Sequence, residues 1–356
     1  MSFFSTKELA FGLDISDQTL RLIQFSIYSR AKKIQLYNEI KLPPGCVLDG
    51  EIKQSDLFIE HLKKLIKTRY GQGAISDQAI IVLPEKETFL KTITLENIEP
   101  NRLKDEIKNS ILKNIPLEIS EIIYDWQIIS KNNSDYQILV AASPKKAIEN
   151  YSSIFNKADI TVSVMEPEAA SINRILIEHN NDKHPQLIID IGKNRTGLFI
   201  YDGQTIKFTT SLPISGDKID KIISHSLDLT PVEAEKTKLI CGLDEERCQG
   251  AILEIMKPTI KELSEKILAS LKFYYTNYQD SKKIENIVIC GGGANTIGIT
   301  TAISSEIKIK TELSNPFKKI KNPNKHFFTE SKSQSFITAI GLGLRGVKPE
   351  SFYDKH

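Results

Sequence analysis

Two segments, far apart in the chain, each place an aspartate at the end of an apolar strand and directly before a tight polar turn. The first is FGLDISDQT (11–19), with Asp14, and the second is LIIDIGKNRT (187–196), with Asp190. Outward-pointing N–H groups of such turns bind phosphate oxygens, and a strand-end aspartate suits a hydrated Mg²⁺ that bridges those phosphates. This chemistry predicts a nucleotide and Mg²⁺ held between two related lobes.

Each turn also has a simpler interpretation, because an aspartate in an ordinary β-hairpin is common. One such hairpin alone would favour that interpretation. The two aspartates lie 176 residues apart (190 − 14), about half of the 356-residue chain, and this spacing favours a duplicated site. In the second turn, Gly192 lets the backbone approach a ligand closely. Lys193 and Asn194 add donors there, and Thr196 offers a hydroxyl.

A glycine run, CGGGAN (290–295), follows a four-residue apolar strand. Glycines at that place let a backbone lie against a flat base or a phosphate, and the pattern predicts that a helix opens there with its dipole favouring anions. The spacing is not the GxGxxG of dinucleotide-binding folds, and no GK[ST] of a P-loop accompanies it. A tight turn without a ligand is an equally good interpretation of this run alone.

The elements that position these segments alternate between strands and helices, which indicates an α/β architecture. A three-stranded meander is predicted in 10–42, a helix in 54–69, and a further strand–helix unit from Pro84 onward, inserted into the first lobe. Thr230, with Pro231 after it, signals a helix start. A longer helix is predicted for Lys257–Gln279, and a small-residue helix near the C-terminus is predicted to pack closely beneath a sheet.

Bulk composition limits the function classes. The chain is 40% hydrophobic and 26% charged with a net charge of +2, which gives no field strong enough to argue for nucleic acid or an anionic membrane. It has no signal-peptide pattern and no apolar run of the ~20 residues that a membrane span needs. The four cysteines lack zinc-site spacing and are predicted to be free thiols. These observations favour a reduced, cytosolic protein.

The order of these segments resembles the actin-like ATPase superfamily and, within it, the PilM family of cytoplasmic actin-like proteins of type IV pilus assembly. The resemblance covers nearly the whole length and includes YDWQII, EPEAASINR, DIGKNRTGLFIYDG, TPVEAEKTK, GGGANTIGI and TAIGLGLR. It implies a duplicated actin-like (RNase H-like) α/β fold with two lobes and an FtsA-type inserted subdomain. The implied boundaries are 1–83 with 164–184 for the first lobe, 84–163 for the inserted subdomain, 185–227 with 284–347 for the second lobe, 228–283 for a helical subdomain, and 348–356 for a tail.

The resemblance also implies roles for individual residues, with ATP and Mg²⁺ as the cofactors. Asp14 and Asp190 would hold the hydration shell of Mg²⁺. Phosphates would lie on Ser16, Asp17, Gln18, Thr19, Arg21, Gly192, Lys193, Asn194 and Thr196. Ribose and base would contact Gly216, Glu235, Lys238, Gly291, Gly292, Gly293, Ala294 and Ile297. Either Glu166 or Glu168 would position a catalytic water. From the residues alone, Glu235 and Lys238 are better interpreted as a solvated helix face.

Several departures from the family pattern concern the first turn. Ser16 stands where the family usually has glycine, Arg21 where it has lysine, and Asp17-Gln18 where it has a small serine-rich turn. An Asp17 side chain that points inward would repel the phosphates. We therefore expect nucleotide binding, and we leave open whether the chain is a weak ATPase.

The inserted subdomain is implied to bind the N-terminal cytoplasmic peptide of a PilN-like inner-membrane protein, in a groove or along a sheet edge. Candidate surfaces are 89–95 and 124–128, although Trp126 is equally well explained as a core residue. Self-association and contact with pilus motor ATPases stay open. No nucleic acid is expected, and the protein would be cytoplasmic, meeting the inner membrane only through its partner.

Two other functions compete with this scaffold. A sugar or acid kinase of the same superfamily needs a general base presented to a second substrate, and no polar loop is clearly suited to that. A division protein similar to FtsA ends in an amphipathic membrane-binding helix, whereas the terminal SFYDKH has neither the length nor an apolar face.

Overall fold

The Asp14 strand lies inside a six-stranded sheet of the first lobe, in the order β11-β7-β1-β2-β3-β6. The fold is given by a computed structural model that describes residues 9–26, 32–83, 88–114, 118–180, 184–278, 280–318 and 320–347. The Asp14 strand pairs antiparallel with the strand after it, as the predicted meander requires. The strands are β1 (Phe11–Ile15), β2 (Thr19–Phe25), β3 (Ile34–Lys41), β6 (Tyr70–Gly71), β7 (Gln78–Val82) and β11 (Thr161–Glu166), and a separate hairpin is formed by β4 (Val47–Leu48) and β5 (Glu51–Ile52).

Two helices, α1 (Ser55–Lys67) and α3 (Lys145–Lys157), cover one face of this sheet. In α1 the buried residues Phe58, Leu62 and Leu65 recur at spacings of four and three, the period of one helix face. They share a hydrophobic core with α3 and with β11. The predicted boundary of the insert at residue 163 remains a prediction, but α3 and β11 pack with the first lobe.

The Asp190 strand lies in an eight-stranded sheet, in the order β16-β15-β12-β13-β14-β8-β10-β9. Every residue of that strand is buried, as expected for an inner strand with a parallel neighbour on one side and an antiparallel neighbour on the other. The strands are β8 (Phe89–Leu95), β9 (Ile122–Asn132), β10 (Asp135–Pro144), β12 (Gln186–Ile191), β13 (Thr196–Tyr201), β14 (Ile206–Leu212), β15 (Asn286–Cys290) and β16 (Lys310–Leu313).

The insert, formed by β8, β9, β10 and α2 (Leu103–Asn114), extends the sheet of the second lobe. Strand β8 meets β14 at Lys91, which pairs with Phe208, and the Thr92 hydroxyl donates to the Ile206 carbonyl at 2.7 Å. By chain order the insert belongs to the first lobe, yet its strands hydrogen-bond to the second. The segment between β7 and β11 therefore contributes strands to the eight-stranded sheet.

The second lobe is covered by the helices α5 (Gly216–Leu227), α6 (Pro231–Cys241), α7 (Ala251–Asn277) and α8 (Ile299–Ile307). The predicted start of α6 is confirmed, because the side chain of Thr230 accepts from the Glu233 N–H in a capping box. The predicted start of the long helix at Lys257 is wrong. Helix α7 begins six residues earlier and contains Pro258, because the buried stripe at Ile252, Met256 and Ile260 continues across the proline.

The C-terminal helix packs closely beneath the first sheet, as predicted. Helix α10 (Ile337–Arg345) follows α9 (Glu330–Ser335) and contacts β1, β2 and α4 (Glu168–Asn180). A Cβ on Gly12 would lie 2.3 Å from the Gly343 nitrogen, and one on Gly341 would lie 2.1 Å from the Ser171 carbonyl oxygen. A side chain at Gly12 would push α10 away from β1, and one at Gly341 would push it away from α4.

The cysteine prediction is wrong for one pair. Cys241 and Cys248 form a disulfide, because the turn after α6 returns the chain and brings the two Cα atoms within 5.5 Å, whereas Cys46 and Cys290 are buried thiols. Within the described ranges, no helix has the length and apolar character that crossing a membrane requires. The predicted tail 348–356 and the predicted start of the insert at Pro84 lie outside the described residues.

Candidate functional site

A cleft of about 730 Å³ opens where the two aspartate hairpins meet. Its volume is that of a site for a small organic ligand. Both lobes, helix α6 and the glycine run contribute to its walls. The predicted site residues that line it are Asp14, Ser16, Asp17, Gln18, Thr19, Arg21, Glu168, Asp190, Gly192, Lys193, Asn194, Gly216, Glu235, Lys238, Gly291, Gly292 and Gly293.

The first hairpin, residues 14–21, is closed by its own side chains. The Ser16 N–H donates to the Thr19 carbonyl at 3.0 Å, and the Thr19 N–H donates to the Ser16 hydroxyl at 3.1 Å. The two hydroxyl oxygens lie 2.8 Å apart. A serine in place of glycine therefore stabilises this turn through bonds that glycine could not make.

Asp14 is buried at the end of β1 beside a chain of charges. The Arg21 guanidinium lies 3.1 Å from its carboxylate and 2.8 Å from Glu39, which in turn pairs with Lys332 at 2.9 Å. Burial raises the pKa of Asp14 to about 6, with Arg21 opposing the rise and the Glu168 carboxylate adding to it. Asp14 therefore gains or loses its charge near pH 6.

Asp17 does not present an unopposed charge to the cleft. Its carboxylate accepts from the N–H groups of Asp49 at 2.9 Å and Gly50 at 3.0 Å, both in the turn between β4 and β5. The same carboxylate accepts from the Asn194 side chain of the opposite lobe. These three donors offset the phosphate repulsion that an inward-pointing Asp17 would exert.

The second hairpin, residues 190–196, keeps donors available. The Gly192 N–H donates to Arg195 at 2.9 Å, while the Gly192 and Lys193 carbonyls accept from the first N–H groups of α5 at 3.0 and 2.8 Å. Among the described residues, the N–H groups of Lys193 and Asn194 have no hydrogen-bond acceptor. Such a pair of adjacent donors is a nest for phosphate oxygens.

Thr196 does not take part in this nest, contrary to the prediction. Its side chain is fully buried and its hydroxyl donates to the Ile214 carbonyl at 2.6 Å. The alternation of β13 turns this side chain toward the core and away from the cleft. Its contribution is to hold the loop before α5 against the hairpin.

A buried carboxylate that the sequence did not reveal organises the two site lysines. Asp220, on α5, lies 2.8 Å from the Lys193 ammonium and 2.6 Å from that of Lys238, and Lys193 also lies 3.4 Å from Glu235. Although burial alone would lower the pKa of Lys193, the two carboxylates outweigh it and raise that pKa. Lys193 therefore stays charged in the cleft.

The glycine run lies against the end of β12. A Cβ on Gly291 would lie 2.1 Å from the Asp190 carboxylate, so only glycine fits there, and the residue has φ +84°. The predicted helix does not open at the run. A single 3₁₀ turn (Gly292–Asn295) follows, and α8 begins only at Ile299, so no α-helix N-terminus acts at the glycines.

Two residues predicted to lie along the base do not line the cleft. Ala294 is buried in the core of the second lobe. Ile297 packs against Gly242, and its carbonyl accepts from the Leu243 N–H at 2.7 Å. Because the 3₁₀ turn carries the chain away from the cleft, only the glycines and Asn295 face it.

The two candidate catalytic glutamates have different environments. Glu168 lines the cleft and pairs with Arg195 of the opposite lobe at 2.8 Å. Glu166 is buried, bonded by Arg174 at 2.7 and 2.8 Å and also by Arg345. Burial would raise the pKa of Glu166, but the two arginines hold it below its ordinary value. Glu166 is therefore a buried structural anchor and not a candidate for positioning a water.

The arrangement fits a nucleotide with Mg²⁺. Among the described residues, no group of three or more His, Cys, Asp or Glu side chains could hold a metal by itself. Mg²⁺ keeps most of its waters and needs only one or two carboxylates beside phosphates, which Asp14 and Asp190 can supply. The Gly291 backbone lies directly against the Asp190 carboxylate, where a Cβ would be only 2.1 Å from it. Further cleft residues that the sequence did not single out are Lys41, Tyr151, Leu239, Gln334 and Thr338.

Comparison with known proteins identifies the fold and the family. The family described as type IV pilus assembly protein PilM matches residues 12–347. The protein of a PilM–PilN type IV pilus biogenesis complex is 21% identical, with a TM-score of 0.81 over 97% of this chain and 100% of that one. Ethanolamine utilization protein EutJ from Carboxydothermus hydrogenoformans is 14% identical (TM-score 0.59, 96% of this chain and 92% of that one). MreB 5 of Spiroplasma citri, bound to AMPPNP, is 12% identical (TM-score 0.57, 95% and 96%). The fold is the two-lobed actin-like fold, and the chain belongs to the PilM family of type IV pilus assembly proteins.

Proposed function

We propose that this PilM-family protein binds Mg-ATP in the cleft and acts as a nucleotide-dependent scaffold of a type IV pilus or a related secretion or competence machine. In this proposal it is cytoplasmic and reaches the inner membrane through a PilN-like protein, whose N-terminal peptide binds the inserted subdomain. The observation that carries the nucleotide assignment is the single cleft into which both strand-end aspartates and both hairpins open.

The cleft offers distinct chemistry to each part of a nucleotide. The N–H groups of Lys193 and Asn194 and the charged Lys193 side chain suit phosphates. Glu235 and Lys238 on α6 suit the polar ribose or base edges, and the glycine run suits the flat face of a base. Bound Mg²⁺ would neutralise phosphate charge at Asp14 and Asp190.

The same residues support a nucleotide sensor more strongly than a fast ATPase. Glu168, which lines the cleft, is paired with Arg195 at 2.8 Å. A general base must be within hydrogen-bond reach of the water that it activates, and the ion pair holds the Glu168 carboxylate on Arg195 instead. Hydrolysis would therefore require this inter-lobe pair to open first.

The partner proposal rests on a sheet edge and an adjoining groove. In the described part of the sheet, β9 pairs only with β10, so its outer backbone groups form an edge that an extended peptide can join. A groove of about 650 Å³ lies beside it, between Ile123 of β9 and helix α3. Strand β8, the other predicted surface, lies between β10 and β14 in this sheet and pairs with β14 at Lys91.

The aromatic residues of β9 lie on the face of the sheet that α2 covers. Tyr124 and Trp126 are half-buried and pack on the core beneath α2, in agreement with the alternative interpretation of Trp126. A peptide would therefore be recognised by the backbone of β9 and by Ile123, and not by an exposed aromatic face. The similar protein of the PilM–PilN complex, whose partner is PilN, supports a partner of this type.

Isothermal titration calorimetry with Mg-ATP tests the nucleotide site. The wild-type protein is expected to bind, and Asp190→Ala is expected to bind about 10- to 100-fold more weakly, the usual cost of disturbing a metal shell. Asp77→Ala, which removes an exposed aspartate before β7, is the matched control. Equal affinity for wild type and Asp190→Ala would contradict the assignment.

A second titration tests the partner. The probe is a synthetic peptide with the N-terminal cytoplasmic sequence of the PilN-like protein from the same genome. Binding is expected in the wild type and is expected to weaken in Ile123→Asp, which places a charge in the groove, but not in Leu268→Asp, an exposed position on α7. Absence of binding both with and without Mg-ATP would overturn the scaffold proposal.

A further inference from the structure

Helix α3 separates the cleft from the groove beside β9 and presents a different face to each. Tyr151 is 3% exposed and lines the cleft. Ser152, Ser153 and Asn156, on the other side of the helix, line the groove. The shortest connection between the two proposed ligand sites therefore runs through one turn of this helix.

The Tyr151 hydroxyl donates to the carbonyl of Gly50, in the turn between β4 and β5. Both turn residues have left-handed backbones, with φ +52° at Asp49 and +79° at Gly50. An Asp-Gly pair in this conformation forms a tight two-residue hairpin with little freedom. A displacement at one side of this turn is therefore passed to the other side.

On that other side, the Asp17 carboxylate holds both N–H groups of the turn, at 2.9 and 3.0 Å. Asp17 also accepts from the Asn194 side chain, which reaches across the cleft from the second hairpin. A continuous chain of hydrogen bonds thus leads from Asn194 through Asp17 and Gly50 to Tyr151.

We propose that Tyr151 is a positioning residue that couples the groove to the nucleotide site through Gly50 and Asp17. The inference rests on the proposed function, because coupling requires that the cleft binds a nucleotide. Phosphates on the second hairpin compete with Asp17 for the Asn194 donor, which changes how firmly Asp17 holds the turn. Tyr151 moves with the turn, and the groove face of α3 moves with Tyr151.

The test monitors the groove face while the cleft is filled. Ser153, which is exposed in the groove, is replaced by cysteine and labelled with an environment-sensitive maleimide fluorophore. The native Cys46 and Cys290 are buried and the other two cysteines are bonded, so the label is selective. Mg-ATP is titrated by fluorescence and, in parallel, by calorimetry, and amplitudes are compared when each variant is saturated.

A fluorescence change that saturates with the calorimetric isotherm is expected in the labelled parent. Tyr151→Phe removes only the hydroxyl and is expected to lose at least about half of that amplitude. Tyr278→Phe is the matched control, because its hydroxyl also donates to a backbone carbonyl, that of Lys207, outside the cleft and the groove. It is expected to keep the full amplitude. Asp17→Asn, which weakens the chain at its other end, is expected to lose amplitude as Tyr151→Phe does.

The outcomes separate the two proposals. Full amplitude in both Tyr151→Phe and Asp17→Asn overturns the coupling. So does calorimetric binding of Mg-ATP without any fluorescence change in the parent, while the nucleotide site then stands. Failure of Mg-ATP to bind the wild-type protein removes the proposed function and the coupling together.

Discussion

The two aspartate hairpins have similar sequences and similar backbones but different chemical surroundings. In the first, the Ser16 and Thr19 side chains close the turn, and Arg21 binds the Asp14 carboxylate at 3.1 Å. In the second, the N–H groups of the two residues after Gly192 have no hydrogen-bond acceptor among the described residues. A duplicated motif therefore fixes where a carboxylate lies, while residues from neighbouring strands decide how much charge it presents.

The strands that lead into the two hairpins also differ, two residues before each aspartate. Gly12 precedes Asp14 by two residues, and Ile188 precedes Asp190 by two. Gly12 is required because α10 crosses β1 so closely that its backbone occupies the place of a side chain. Ile188 of β12 instead carries a side chain, which packs in a hydrophobic cluster with residues of α4 and α10. The two equivalent positions thus differ in whether a side chain separates the strand from the elements packed on it.

The largest expected effect sharpens the difference between the two carboxylates. Asp190→Ala is expected to reduce Mg-ATP affinity by about 10- to 100-fold, and Asp14→Ala by less, because Arg21 already compensates the Asp14 charge. Calorimetry at pH 7.5 or above, where Asp14 is ionised, measures both. A greater loss in Asp14→Ala than in Asp190→Ala would reverse the assignment of the stronger hairpin.

The second prediction concerns the strands that carry the hairpins. Gly12→Ala is expected to lower the free energy of unfolding by about 1–3 kcal/mol, because its Cβ would overlap the α10 backbone. Gly292→Ala is the matched control, since its nearest neighbour is the Ser335 hydroxyl at 3.4 Å. Denaturant titration compares the two variants. Similar midpoints for Gly12→Ala and Gly292→Ala would show that α10 moves to accommodate the methyl.

The third prediction uses the pKa of Asp14, which burial raises to about 6. Because the folded state holds this proton more tightly than the unfolded state, Asp14 contributes stability below its unfolded pKa of about 4 that is lost as pH rises through about 6. Mg-ATP affinity should change in the opposite sense and fall about tenfold for one pH unit below that pKa, as the carboxylate is neutralised.

The difference between wild type and Asp14→Asn isolates this effect from other titrating groups. Thermal melts and calorimetry are measured at intervals from pH 4 to 8. As the pH rises from 4 to 8, the wild type is expected to lose stability relative to Asp14→Asn. Over the same range, its affinity for Mg-ATP is expected to rise relative to that of Asp14→Asn. Parallel pH profiles for the two proteins would show that Asp14 does not cause the pH dependence.

The smallest expected effect on Mg-ATP affinity separates structural from ligand-binding members of the second hairpin. Thr196→Val is expected to leave Mg-ATP affinity unchanged, because the hydroxyl bonds to Ile214 in the core. Loss of this buried bond should cost about 1–3 kcal/mol of stability. Calorimetry and denaturant titration on the same preparation measure both quantities. A marked loss of Mg-ATP affinity in Thr196→Val would show that Thr196 takes part in phosphate binding after all.

Local signals in the sequence predicted much of this architecture. The Asp-Ile turns, the capped start of α6 and the glycine-rich C-terminal helix are each specified by adjacent residues. The sequence also predicted that the two hairpins meet at one cleft, because a motif repeated at half-chain spacing suggests two related lobes that close on one ligand. The start of the long helix was predicted wrongly because Pro258, a residue type typical of the first helical turn, lies inside α7, whose apolar stripe continues on both sides of it.

Contacts between distant segments could not be predicted in the same way. Arg345 lies 179 residues from Glu166, and only the packing of α10 brings it to that carboxylate. Asp220 depends on α5 and α6 lying side by side. The directions of Ala294 and Ile297 were set by a 3₁₀ turn where a helix was expected. Each of these depends on tertiary packing that one sequence does not display.

The position of the insert has a mechanical consequence. If a membrane-anchored partner pulled on β9, the load would pass through β10 and β8 and leave the insert at the short β8–β14 contact, where Lys91 meets Phe208. Beside this joint the buried Lys207 ammonium lies 3.0 Å from Asp280 and 3.3 Å from the Gln137 side chain of β10. Tension on the insert would therefore reach the second lobe through this hydrogen-bonded and charge-paired joint.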